Sequence, residues 1–305
     1  MKGWFRKGPP LFAVRPLAKP CLSSGTRLGG YFPAGGGPAS GVARRARPQD
    51  GRFVLTQELL TYVAIGMLAQ LVDGAIGMAY GLLATSVLMA NGVPPALASA
   101  GVHAAEVGTT GLSGLAHWRL GHVSWPLVRR LAIAGVLGGV GGALVAGHMP
   151  TAVLKPLVNL YLLVMGLMVL RRAVKGRCHA PGPGQGGAVA LGFGGGFLDA
   201  VGGGGWGPLV TSTLIGRGLD PKLAIGSSNA AEFFVATAVA VAFLGTIGIS
   251  IWPVVAGLVV GGAVAAPFAA LATRYMPTHL LMGMVGAAIV LLAASALLRQ
   301  VGLTN

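Results

Sequence analysis

From Phe53 onward the chain alternates long apolar runs with short polar breaks. The runs cover 54–90, 96–117, 124–147, 152–171, 187–216, 222–245, 250–273 and 278–299. They repeatedly reach the roughly 20 residues that an α-helix needs to cross a hydrocarbon core. The connections between them hold Pro, Gly, Arg or His, and the strand-type alternation of a membrane barrel does not occur. The pattern predicts an all-α polytopic membrane protein with about eight transmembrane helices. Two runs, 54–90 and 187–216, are too long for one straight span and carry Asp with clustered Gly in the middle. These are Asp73-Gly74-Ala75-Ile76-Gly77 and Asp199-Ala200-Val201-Gly202-Gly203-Gly204-Gly205. Glycine lowers helix stability by about 1 kcal/mol relative to Ala. Irregular backbone survives at membrane depth only inside protein or beside a cavity, so each run is expected to be a broken or re-entrant helix.

The two long runs also repeat each other. Asp73, Gly77, Gly81, Thr85, Ser86, Gly92, Pro95, Ala98 and Glu106 recur as Asp199, Gly203, Gly207, Thr211, Ser212, Gly218, Pro221, Ala224 and Glu232, each 126 positions later. The ungapped comparison of 73–106 with 199–232 contains 14 identities in 34 residues. Beyond Glu106 the offset becomes 127, pairing Trp125 with Trp252, Met149-Pro150-Thr151 with Met276-Pro277-Thr278, and Arg172 with Arg299. Self-similarity at a fixed period marks a duplicated unit. The expected organisation is a basic, disordered extension at 1–52, a first membrane repeat at 53–171, a linker at 172–186 and a second membrane repeat at 187–300. Each repeat is a four-helix unit that begins with the broken segment.

Composition supports the membrane reading and excludes a soluble domain: 54% of residues are hydrophobic and 10% charged, with mean hydropathy +0.74. The net charge of +15 resembles a nucleic-acid signal until it is located. Ten of the 22 basic residues precede Phe53, where Asp50 is the only acid. That tract lacks the aromatic interleaving or motif of a nucleic-acid binder, so no nucleic-acid partner is expected. Cys21 and Cys178 are isolated and have no metal-ligand spacing. Arg171, Arg172, Lys175 and Arg177 place the linker on the cytoplasmic side by the excess of positive charge there. Arg119, Arg129, Arg130, Arg299 and the basic tail fall on the same side when crossings are counted, which puts both termini in the cytoplasm.

The candidate chemistry sits in the repeat. Asp73, Glu106, Asp199 and Glu232 lie in apolar sequence, where an ionised carboxylate costs on the order of 3 kcal/mol at the bilayer centre. Such groups read as pathway or coupling acids, or, for the two Asp beside the breaks, as caps that hold a broken helix together. Gly77, Gly81 and the run Gly202, Gly203, Gly204 and Gly205 remove side chains, so backbone can approach a ligand and aim N–H groups at it. Tight helix packing through small residues is the alternative. His103 lies three residues before Glu106 and shares its helix face, as Asn229 does with Glu232. Ser227, Ser228 and Asn229 add donors suited to an oxyanion, and His103 also suits an interhelical hydrogen bond. A His-x-x-Glu pair supplies only two ligands per copy, short of the four of a structural metal site, so no metal and no cofactor is expected.

The run Gly194-Gly195-Gly196-Phe197-Leu198-Asp199-Ala200-Val201-Gly202-Gly203-Gly204-Gly205-Trp206-Gly207-Pro208-Leu209 is followed by Gly218-Leu219-Asp220-Pro221-Lys222-Leu223-Ala224-Ile225-Gly226-Ser227-Ser228-Asn229. This combination resembles the TauE/SafE sulfite-exporter family, and the likeness covers 53–300. Copy one departs from it, with Ile76-Gly77-Met78-Ala79-Tyr80-Gly81-Leu82 in place of the four-Gly run and Pro. The resemblance implies duplicated four-helix units in the bacterial cytoplasmic membrane and export of a small anion such as sulfite, a sulfonate or a related organic anion. It leaves a homo-oligomer open. The residues themselves add a second reading, a divalent cation transporter using the four carboxylates. No Walker-type motif and no nucleophile with a base in reach points to an enzyme.

Overall fold

A computed structural model describes residues 51–76, 78–175, 187–248, 251–275 and 278–302. Gly77, most of the linker and nearly all of the basic extension lie outside the described residues. Ten α-helices follow in chain order: α1 Gly51–Ile76, α2 Tyr80–Ala90, α3 Pro95–Arg119, α4 Trp125–His148, α5 Thr151–Lys175, α6 Ala188–Gly202, α7 Ser212–Gly216, α8 Pro221–Ile247, α9 Trp252–Tyr275 and α10 Thr278–Gln300. A π-helical turn at Gly207–Thr211 runs directly into α7. The predicted breaks are therefore real: run 54–90 divides into α1 and α2, and run 187–216 into α6 and the π-helix with α7. Among the described residues, four helices are long and apolar enough to cross a membrane by themselves, Trp125–His148, Thr151–Val174, Pro221–Ile247 and His279–Gln300. α3 has similar length but carries His103, Glu106 and Thr110 on a buried face.

Proline and tryptophan punctuate the starts in a repeated way. Pro95 and Pro221 open α3 and α8, where a missing N–H costs nothing and the fixed φ suits a first turn. Trp125 and Trp252 open α4 and α9, and Thr151 and Thr278 open α5 and α10. Helices that begin 126 or 127 positions apart thus occupy the same place in the order of each half.

Close glycine contacts set the direction of each packed pair. Gly111, Gly114 and Gly226 lie against Phe233, Ala230 and His117, so α3 and α8 run antiparallel. Gly166, Gly286 and Gly283 meet Ile289, Leu170 and Ala173, which makes α5 and α10 antiparallel too. α1 runs parallel to α9, with Tyr62 beside Gly257, Gly66 beside Leu258 and Gln70 beside Gly262. α6 runs parallel to α4, with Gly192 against Leu131, Gly196 against Gly135 and Phe197 against Gly142. The most extensive contacts, α1 with α9, α4 with α6, α5 with α10 and α3 with α8, all join one half to the other. Matching helices that run antiparallel are the signature of inverted halves related by an axis in the membrane plane.

Both broken segments turn back. Gly101, near the start of α3, touches Val254 near the start of α9, and α1 enters beside that same stretch at Gly257. α1 and α3 therefore begin on one side of the bundle, here the Pro95 side. On the other side, Gly187 at the start of α6 lies beside Arg217 at the end of α7, and Ser124 N donates to Ser227 Oγ at 2.9 Å. The α1–α2 hairpin enters from the Pro95 side and the α6–α7 hairpin from the Ser124 side, about 37 Å away along the 25 residues of α3.

These directions overturn the joint placement of the linker and both termini in the cytoplasm. α5 ends and α6 begins on the Ser124 side, whereas α1 begins and α10 ends on the Pro95 side. Each half crosses three times because its first segment is re-entrant, and an odd count puts the linker opposite the ends. In a Cys21→Ser background, Cys178 of the linker and an introduced Asn305→Cys are therefore expected to react with an impermeant maleimide from opposite faces of the membrane. Labelling of both from one face would refute the arrangement.

Candidate functional site

The site is built where the tips of the two hairpins meet. Each break exposes N–H groups with no carbonyl one turn back, and each is answered by an aspartate. Asp73 Oδ1 accepts from Ala79 N at 2.7 Å and Tyr80 N at 3.0 Å. Asp199 Oδ1 accepts from Trp206 N at 2.9 Å, and its carbonyl accepts from Gly203 N at 2.8 Å and Gly204 N at 3.0 Å. Both aspartates stand seven residues before the aromatic that opens the returning helix. They cap at the breaks, the role that competes with a pathway function at these two positions.

The second tip then folds against the first. Gly203, Gly204 and Gly205 have φ of +74°, +140° and +138°, backbone that other residues adopt at a cost. A side chain at Gly204 would also strike Gly81 and Leu82 of α2. The carbonyls left over are taken by side chains from other helices. Thr85 of α2 donates to Gly203 O, Tyr161 of α5 to Gly204 O at 2.8 Å, and Arg172 of α5 to Pro208 O at 2.6 Å. Trp206, fully buried, donates from Nε1 to Ser228 Oγ at 2.9 Å, which also receives Thr211 Oγ1 at 2.6 Å.

Between the tips, α3 and α8 lies a cavity of about 260 Å³. Asp73, Gly81, Glu106, Gly205, Asn229 and Glu232 line it, together with Gln70, Tyr80, Thr109, Thr110, Ser113, His117, Gly207 and Pro208. Asn229 Nδ2 donates to Ser113 Oγ at 2.7 Å, tying α8 to α3 in the cavity wall. Among the described residues, three carboxylates and no lysine or arginine contribute to this lining.

Several sequence candidates lie elsewhere. Ser227 receives Ser124 N and Ser228 receives Trp206 and Thr211, so both serve packing and neither lines the cavity. Gly202 lies under the ring of Tyr161, and Gly203 and Gly204 form the contact between the tips. His103 is fully buried behind the cavity, its Nε2 3.1 Å from Asp199 Oδ2 and its Nδ1 2.8 Å from Ser99 O. His103, Glu106 and Asp199 bring potential metal-ligand atoms within 4.8 Å of one another. The sequence reading missed Tyr161, Gln70 and Ser113. Tyr161 left no trace in the repeat because Ala288 occupies its matching position in α10.

Gly204→Ala should cost roughly 2–4 kcal/mol, combining an unfavourable φ with overpacking against Gly81. A thermal melt of the purified protein that matches wild type would exclude the tip contact.

Comparison with known proteins accords with this architecture. No solved structure matches the chain. A probable membrane transporter protein of Bacillus subtilis (strain 168), YtnM, is 39% identical over 253 residues, covering 80% of this chain and 84% of that protein. Residues 62–296 match the family described as sulfite exporter TauE/SafE. That match runs from within α1 to within α10 and so spans both interrupted segments, and the chain belongs to the TauE/SafE family of membrane transporters.

Proposed function

We propose that the protein is a secondary transporter of a small anion, of the sulfite or sulfonate class, and that Glu106 and Glu232 couple its movement to protons. The observation that supports this is the cavity between the re-entrant tips: Tyr80, Thr109, Ser113 and Asn229 bring hydroxyl and amide groups to the lining of a space bounded by three carboxylates. An anion enters such a space at tolerable cost only when the carboxylates carry protons, because like charges at close range in a low dielectric repel strongly. Cargo and protons then occupy the cavity together, and flux follows the sum of their gradients. Inverted halves with broken helices meeting at mid-membrane suit alternating access around such a site.

A second reading, transport of a divalent cation, draws support from the same lining, which among the described residues includes carboxylates and neither lysine nor arginine. An enzymatic reading gains little. Ser99, His103 and Asp199 do form a chain of contacts, but Ser99 is fully buried and its hydroxyl already donates to Ala200 O at 2.6 Å.

Topology is part of the proposal. The helix ends and connections at the Ser124 side hold Arg119, Arg129, Arg130, Arg171, Arg172, Arg217 and Lys222, whereas the helix ends of the Pro95 side after α1 hold Lys155 and Arg299. This bias supports a cytoplasmic linker side, with the two termini on the outer face.

The test is flux of labelled sulfite and sulfonates into proteoliposomes with and without a pH gradient. Wild type is expected to transport at least one of them faster under the gradient, and Glu106→Gln or Glu232→Gln to lose that acceleration. Absence of anion flux beside robust flux of a divalent cation would replace the first reading with the second.

A further inference from the structure

Behind the cavity wall formed by Glu106, the hydrogen bonds of His103 can be assigned completely. Ser99 O is a carbonyl and can only accept, so the His103 Nδ1 at 2.8 Å from it carries the hydrogen. The Ser99 hydroxyl does not change this, since its own hydrogen goes to Ala200 O at 2.6 Å. In the neutral ring, Nε2 therefore presents a lone pair to Asp199 Oδ2, 3.1 Å away. Two acceptors face each other there. Glu106 Oε2 is buried with no hydrogen-bond partner, and Glu106 itself is 4% exposed. The ligand atoms of the three residues fall within 4.8 Å of one another.

A buried trio of acceptors calls for a cation. A proton on Nε2 satisfies the edge to Asp199 and leaves Glu106 Oε2 unpartnered. A divalent ion serves all three groups and offsets both carboxylates at once. The outer partners that orient metal ligands are already in place, because the His103 Nδ1–H donates to a backbone carbonyl and Asp199 Oδ1 is held by Trp206 N. Two ligand atoms each about 2.0–2.2 Å from one metal ion lie roughly 3.0–3.5 Å apart, which accommodates the 3.1 Å between His103 and Asp199. Glu106 lines the cavity, so an ion can reach the site from there.

We propose that His103, Glu106 and Asp199 bind a divalent transition-metal cation, of the kind that accepts one imidazole and two carboxylates. The site is single. Its counterpart in the second half has Asn229 in place of His103, and that amide is turned to Ser113. The bound ion supplies the positive charge that the side chains of the cavity lining lack, which links it to the anion reading above; the site itself stands without that reading.

Full-length protein in detergent, stripped with a chelator and titrated with Co²⁺, provides the test through the visible absorption of the bound ion and competition by Zn²⁺. Wild type is expected to bind one equivalent per chain. His103→Asn, which installs the residue of the second half, should weaken binding at least about 100-fold, beyond the 10–100-fold typical of losing an outer partner. Glu106→Gln should weaken it similarly, and Glu232→Gln should leave it unchanged. A thermal melt verifies that each variant is folded, and His103→Asn carries the test if Asp199→Asn is not, because Asp199 also caps the hairpin. No Co²⁺ binding by wild type, or equal binding by His103→Asn, overturns the site whatever the fluxes. Anion flux that persists in stripped protein would leave the transport reading standing, so the two failures are distinguishable.

Discussion

The membrane interior offers no water to a backbone N–H or C=O, and the structure turns on how the two interrupted helices meet that demand. At each interruption the chain stops being helical while still deep in the bundle. A carboxylate is a strong acceptor for the freed N–H groups, and one aspartate in each half is spent on them. The freed carbonyls need donors, and these come from other helices: Thr85, Tyr161 and Arg172. Once those contacts are made, the tips cannot lie anywhere but against each other and against α3 and α8. The cavity is what remains between them.

Supplying an acceptor as a carboxylate also introduces charge into a low dielectric, and the two halves handle it differently. Asp199 is met by His103 from α3. Asp73 borders the cavity, and the residue matching His103, Asn229, turns to Ser113 in place of Asp73. A duplicated sequence has thereby become two unlike environments, one facing the open cavity and one sealed behind it. The divergence rests on a few side chains, since the caps and the helix starts are kept in both halves.

Much of this was legible in the sequence because the membrane makes helices easy to read. Apolar length set the elements to within a few residues, and Asp with clustered Gly marked both breaks. Residues paired at offsets of 126 and 127, Pro95 with Pro221, Trp125 with Trp252 and Thr151 with Thr278, each open a helix. What was not legible depends on direction and on distance. Ser227 and Ser228 read as anion donors because their hydroxyls share a helix with Asn229, yet contacts to Ser124, Trp206 and Thr211 take them up. Tyr161 carried no pattern, because Ala288 stands at its matching position in α10. The placement of both termini on the linker's side was misread because a re-entrant hairpin and a crossing helix have similar hydrophobicity, and only the packed pairs tell them apart.

The exchange of partners between the halves has a consequence for how the protein is made. α1 packs along α9, and Gly66 and its neighbour Leu258 are separated by about 190 residues. At roughly 5–20 residues per second this partner arrives on the order of 10–40 s after α1 leaves the ribosome. Until then the first hairpin, with Asp73 at its tip, has neither α9 nor the second tip to shield it. Synthesis therefore passes through a long interval in which a polar hairpin waits in or beside the membrane for the far end of its own chain. The halves are alike in sequence, but the first must be kept until the second exists.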